Sequence, residues 1–185
     1  TSSASGDEGD SFGWINYRFI DKGEISTQFN PVGGEERFWL GPEGGPFSLY
    51  FKGGQEQVYD NWVVPAVLDT EPFKVEAQNE SSIRFVKDTR LTNASGTTFD
   101  INIDRIVSLM DADKVAADFN IQLTNDMKIV AYKSENKITN MGENAWTKET
   151  GLISVWMLGC FNPTPTTTVF IPYKQGAEGT IVNDE

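Results

Sequence analysis

Histidine is absent from the 185 residues, so the side chain that most often exchanges protons near neutral pH is missing. A Ser-His-Asp triad and a His-ligated metal cannot be assembled from these residues alone. Cys160 is the sole cysteine, which excludes an intramolecular disulfide and any Cys-based metal cluster. No apolar run approaches the roughly eighteen residues that a membrane-spanning helix needs. Positive charge is scarce as well, with fifteen basic residues against twenty-seven acidic ones and a formal charge of -12. Such a field repels phosphate backbones and anionic headgroups, which argues against nucleic acid as a partner. It tolerates a neutral sugar or a divalent cation.

What is present is a folding composition: 38% hydrophobic residues, with twelve Phe, five Tyr and five Trp. Short apolar runs are punctuated by Asn and Gly at Asn30 to Gly34, Gly44 to Pro46, Gly53-Gly54, Asn93 to Gly96, Asn140 to Gly142 and Asn162-Pro163. This is the one-dimensional signature of hairpin-rich β structure. Phe99, Ile101 and Ile103 alternate with Asp100, Asn102 and Asp104, placing three apolar residues on one face, with Arg105 continuing that face. Further strands are predicted over Trp14 to Ile20, Phe47 to Phe51, Ser82 to Val86, Lys128 to Thr139, Gly151 to Leu158 and Thr167 to Pro172. One short helix is predicted over Asp111 to Phe119, with Asp111 as its N-cap. The chain reads as one domain of an all-β sandwich. It opens on Thr1-Ser2-Ser3 and stops within a strand-like stretch at Gly179 to Glu185, so the expectation is part of a longer domain, truncated at both ends.

Without histidine, acid/base chemistry falls to carboxylates, and spacing alone does not say which of them converge. The densest motif is Gly33-Gly34-Glu35-Glu36-Arg37-Phe38-Trp39-Leu40-Gly41-Pro42-Glu43. Strand alternation puts Arg37 and Trp39 on one side and Phe38 and Leu40 on the other. A pyranose could pack on the indole while Arg37 and Glu43 bond its hydroxyls. Equally, Trp39 could be core, with Arg37 stacked on it or paired with Glu35. Arg105 on an apolar strand face must be ion-paired or lie at the mouth of a cleft, because an unpaired buried charge is costly. Asp60-Asn61-Trp62 offers polar groups beside an indole, or a turn before an anchored strand. Gly6-Asp7-Glu8-Gly9-Asp10 is oxygen-rich enough to admit Ca²⁺ but lacks EF-hand spacing; a solvated acidic loop is the better account, and no cofactor is required.

Ser134 to Gly142, leading through Trp146 to Glu149-Thr150-Gly151-Leu152-Ile153-Ser154-Val155-Trp156, resembles the strand, Asn-turn and return strand of the galactose mutarotase-like superfamily. It is most similar to a branch from polysaccharide-degrading bacteria, in which segments like the Gly33 to Gly45, Phe161 to Pro163 and Phe170 to Tyr173 stretches occur together. The resemblance implies an antiparallel β-supersandwich with a concave ligand face, present here as a fragment. It also implies an exported protein, periplasmic or at the cell surface. A mutarotase uses a His on the return strand and a Glu near the C-terminal end of its domain. Here Gly151 to Trp156 contains no His, and the Glu would fall beyond Glu185.

Two functional expectations follow. The first is a carbohydrate-binding protein for a mono- or oligosaccharide, using Arg37, Trp39, Glu43, Arg105 and Trp156, completed by the remaining segments of the same domain. The second is a carbohydrate-active enzyme, epimerase-like or lyase-like, in which Glu43 or Glu149 works with a residue outside these 185.

Overall fold

The computed structural model describes residues 12–172. Six strands occur among them: β1 (Arg37–Gly41), β2 (Lys74–Gln78), β3 (Ser82–Thr92), β4 (Thr98–Met110), β5 (Ala131–Asn140) and β6 (Ser154–Leu158). Three short helices join them: α1 (Tyr17–Ile20), α2 (Ala66–Asp69) and α3 (Ala112–Phe119). Strands β2-β3-β4-β5 form an antiparallel meander in sequence order, and β1 pairs with β6 in a separate antiparallel ribbon. The ribbon packs on one face of the meander, giving an all-β sandwich.

The period of two along β4 determines which face is covered. Phe99, Ile101 and Ile103 are 3%, 1% and 0% exposed, and they meet Leu40, Leu49, Tyr50 and Leu91 in one core cluster. Each fully buried aliphatic side chain of this kind contributes about 1.5–3 kcal/mol. The opposite face carries Asp100, Asn102 and Asp104. There Arg84 forks onto Asp104 at 2.9 and 2.6 Å, Arg90 forks onto Asp100 at 2.6 and 3.0 Å, and the Asn102 amide donates to Asp88 at 2.7 Å. These rungs stand in solvent, so they fix register and solubility more than they stabilise.

The β3-β4 turn falls at the Asn93 to Gly96 position anticipated, whereas the β2-β3 turn is built on Asn79, whose Oδ1 accepts from Ser81 N and Ser82 N, and was not anticipated. Asn93 is buried, and its Oδ1 accepts from the backbone of Ser95 and Thr97 at 3.1 and 2.9 Å, closing the β3-β4 turn. Helix α3 begins where Asp111 Oδ1 accepts from Lys114 N at 2.7 Å and ends at Asn120 in the left-handed region, as N-cap and C-cap chemistry require.

Three predicted strands differ. Asn16 Oδ1 accepts from Phe19 N at 3.1 Å, nucleating α1 and leaving only isolated bridges at Gly13 and Ile15 in place of a strand from Trp14 to Ile20. Ser48 breaks the run from Phe47 to Phe51: its hydroxyl donates to Glu43 O and accepts from Tyr50 N, which bends the chain while Leu49 and Tyr50 stay buried. From Thr167 to Pro172 the residues are exposed and unpaired by any sheet. Strand β5 starts at Ala131 and β6 at Ser154, both later than the apolar pattern suggests. The Gly6 to Asp10 loop, Tyr173 and the Gly179 to Glu185 stretch lie outside the described residues.

Candidate functional site

Gly33 sets the entry to β1. Its φ is +78°, and a Cβ there would lie 2.4 Å from the carbonyl oxygen of Trp14, so only glycine lets the two backbones approach. The bridge between Ile15 and Gly33 and the bond from Gly34 N to Trp14 O at 2.8 Å then hold the chain. From that anchor, Glu36, Phe38 and Leu40 point towards the meander, whereas Arg37 and Trp39 point away from it.

The side pointing away is an aromatic cluster. Trp39 stacks on its register partner Trp156 at 5.0 Å between ring centres, and Tyr50, Trp62 and Phe29 close around it at 5.6–6.2 Å. Tyr59 lies on Trp62 at 6.1 Å. The guanidinium of Arg37 sits 5.3 and 5.2 Å from the Phe29 and Trp39 rings. It also donates to Asp69 Oδ1 at 2.8 Å and to Asn30 O at 3.0 Å. Arg37 thus shares a face with Trp39 and stacks on it as anticipated, but its carboxylate partner is Asp69 on α2 and not Glu35. Trp39 is 2% exposed, so it offers no ring face to a ligand; Trp156, 38% exposed, keeps one. Burial pushes the Tyr50 phenol well above the ordinary tyrosine range, with Glu43 adding to the rise and Arg37 partly offsetting it. Its hydroxyl donates to Leu40 O at 2.8 Å. The Nε1 donors of Trp39 and Trp62 are buried without an oxygen or nitrogen acceptor among the described residues, and neighbouring ring faces are what surround them.

The side facing the meander is a cleft, because the ribbon covers only the Phe99 to Ile103 half of β4. Beyond Ile103 the inward face continues as Arg105, Val107 and Leu109, flanked in register by Phe85 and Ile83 on β3 and by Asn136, Ser134 and Tyr132 on β5. Arg105 Nη2 donates to Glu36 Oε1 at 2.5 Å, Nη1 donates to Asn136 Oδ1 at 3.2 Å, and the guanidinium lies 5.8 Å from the Phe38 ring. The side chains of Arg105 and Glu36 are 11% and 19% exposed. They form the ion pair expected for a charge on an apolar strand face, and they also stand at a cleft mouth, so both alternatives for Arg105 hold at once.

Two cavities flank this pair and share Glu36, Arg105 and Val107. One, of about 430 Å³, is walled by Glu35, Val107, Leu109 and Tyr132. The other, of about 440 Å³, is walled by Phe38, Phe73, Phe85 and Asp69. Glu35 Oε1 accepts from Gly13 N at 3.0 Å, and the Tyr132 hydroxyl and Glu36 Oε2 take no hydrogen bond among the described residues. Burial pushes the Tyr132 phenol up, the Glu36 and Glu35 carboxylates push it further, and Arg105 partly offsets them. Tyr132 therefore remains a neutral donor, beside two acceptors and a planar cation, over apolar walls.

The five anticipated ligand residues are thereby brought together only in part. Arg37 and Arg105 both line the second cavity, whereas Trp39 and Trp156 stack on the other side of the ribbon and line neither. Glu43 is exposed on the turn after β1, and Glu149 is exposed on the turn before Gly151. The Glu149 carboxyl is held below the usual range by bonds from its own backbone and from Thr147. Neither glutamate lines either cavity. Asp60 and Asn61 belong to a 3-10 turn, with Trp62 anchored behind it. Tyr132, Glu35 and Glu36 had not been singled out for the cleft. The alternation Tyr132, Ser134, Asn136, Ile138 against Lys133, Glu135, Lys137 was the signal available for the first of them.

The family described as "Family of unknown function (DUF6786)" matches the chain over residues 1–185. The chain belongs to that family. No curated protein and no solved structure matches it. Among the described residues, no group of three or more His, Cys, Asp or Glu side chains is placed to hold a metal ion, and no helix is long and apolar enough to cross a membrane.

Proposed function

We propose that this chain binds a mono- or oligosaccharide in the cleft around the Arg105–Glu36 pair. The observation that carries the proposal is the co-location, in one cavity, of a phenol unpartnered among the described residues, two glutamates and a guanidinium above Val107 and Leu109. Sugar recognition needs that combination: acceptors and donors at fixed positions for hydroxyls, and an apolar surface for ring C–H groups. The acidic charge of the chain disfavours polyanionic partners and leaves a sugar compatible. The resemblance to galactose mutarotase-like proteins supports the same ligand class and, with it, an exported location in the periplasm or at the cell surface. The catalytic alternative through Glu43 or Glu149 gains no support, since both stand on exposed turns away from the cavities.

Titration calorimetry against a panel of neutral and charged oligosaccharides tests the reading. The expected result is binding by at least one class, weakened about fivefold to tenfold by Tyr132→Phe, the loss of one hydrogen bond. Absence of heat across the panel refutes binding. Binding that is lost in Trp156→Ala and untouched by Tyr132→Phe places the sugar on the other side of the ribbon and overturns the cleft assignment.

A further inference from the structure

The two cavities beside the Arg105–Glu36 pair lie on opposite sides of β4, which supplies Arg105 and Val107 to both. The first extends towards β5, to Tyr132, which pairs in register with Leu109; the second extends towards β3, to Phe85, which pairs with Arg105, and on to Phe73. Neighbouring strands lie about 4.8 Å apart, so Tyr132 and Phe85 are separated by at least about 10 Å. A single pyranose ring does not span that gap. Every charged group lining the second cavity is committed to an ion pair: Arg37 to Asp69 at 2.8 Å, Glu71 to Lys87 at 2.9 Å and Arg105 to Glu36 at 2.5 Å. This chamber therefore selects for neither an anion nor a cation. The half-buried ring of Phe85 meets no aromatic or cationic partner among the described residues, which leaves its surface to the cavity. Between the chambers, the Arg105 guanidinium carries five N–H donors, of which the Glu36 and Asn136 oxygens take two. The middle of the cleft is thus a hydrogen-bonding ridge with apolar walls to either side.

We infer that the ligand is an oligosaccharide that fills both chambers, one ring beside Tyr132 and an uncharged ring against Phe85 and Phe73, with the linkage crossing the Arg105–Glu36 ridge. The inference rests on the carbohydrate reading above and narrows its ligand from a single sugar to a linked pair. Hydroxyls next to the linkage meet donors and acceptors set side by side on the ridge. Ring C–H groups meet Val107 and Leu109 on one side and aromatic carbon on the other. Each chamber holds one ring: volumes of about 430 and 440 Å³ are within the usual range for small-molecule sites.

The test is calorimetric titration with length ladders, from monosaccharide to hexasaccharide, of β-1,4-glucan, β-1,4-mannan, β-1,4-galactan and α-1,4-glucan. In any ladder that binds, the disaccharide or trisaccharide should bind about tenfold to a hundredfold more tightly than the monosaccharide, because the second ring arrives already tethered to the first. Phe85→Leu keeps an apolar side chain on β3 and removes the ring. It should shrink that length ratio about threefold to tenfold, the contribution of one aromatic surface. Phe73→Leu, on the far wall of the same chamber, should shrink it as well, and the wild-type length profile depends on neither variant folding. Affinity that is flat with length overturns the inference. A length ratio that both variants leave unchanged, whether or not affinity falls for every length alike, overturns it too. In both cases the carbohydrate reading is left standing. Silence from every ladder and from the wider panel removes both.

Discussion

Removal of the Asp69 carboxylate is the sharpest perturbation of what holds β1 in place. Asp69 Oδ1 accepts from Arg37 Nη2 at 2.8 Å, and Oδ2 accepts from Asn30 N at 3.1 Å and Asn30 Nδ2 at 2.6 Å. The Arg37 and Asp69 side chains are 10% and 4% exposed. Asp69→Ala therefore strands a guanidinium between two aromatic rings and leaves a buried backbone N–H without its acceptor. Breaking one side of such a pair costs about 3–5 kcal/mol, against a total stability of about 5–15 kcal/mol for an ordinary domain. In a chain of this size that corresponds to a fall in Tm of about 6–20 °C. Asp69→Asn retains an acceptor and loses the charge, so it should fall between wild type and Asp69→Ala. Urea unfolding followed by tryptophan fluorescence reads the loss. A cycle with Arg37→Met reads the coupling, which should exceed about 2 kcal/mol, since the second deletion no longer strands a charge. A loss below about 1 kcal/mol, or no coupling, would refute the argument that this pair is buried and shared between α2 and β1.

Two further outcomes are expected. Ile103→Ala, at a position 0% exposed, should destabilise by about 2–5 kcal/mol; a loss no larger than that of an exposed control such as Ile25→Ala in urea unfolding would contradict the core assignment. Tyr50 and Tyr132 have raised phenol pKa values, the first from burial above all and the second from burial aided by Glu36 and Glu35. The folded state therefore holds protons that the unfolded chain releases near pH 10. Stability from these groups is complete below that pH and is lost as pH rises towards the folded values. Tyrosinate absorbance in an alkaline titration should show two phenols ionising above the ordinary tyrosine range, and Tyr132→Phe should remove one of them.

The legible part of this fold was local. Strict alternation along β4 announced a strand with one buried face, and Asp111 announced the start of α3, because both signals reside within a few residues. Shared orientation of Arg37 and Trp39 was legible for the same reason, whereas Trp156 joins them only through its register opposite Trp39. Depth was not: alternation says which side Trp39 takes, whereas its burial depends on Tyr50, Trp62 and Phe29 arriving from loops. The partners of the two arginines were beyond reach, since Asp69 lies 32 residues from Arg37 and Glu36 lies 69 residues from Arg105. Tyr132 became a site residue only through its register opposite Leu109. Local hydrogen bonding by Asn16 and Ser48 overrode apolar runs that read as strands.

Strand β1 works as a partition whose two surfaces belong to different chambers. Phe38 touches the guanidinium that any cleft ligand must negotiate, and the next residue, Trp39, lies at the heart of the ring assembly. No indole borders either cavity, yet a shift of Glu36 by one bond length must be transmitted through a backbone that also carries Trp39. A ligand that displaces Glu36 is therefore expected to change the tryptophan emission, without any label.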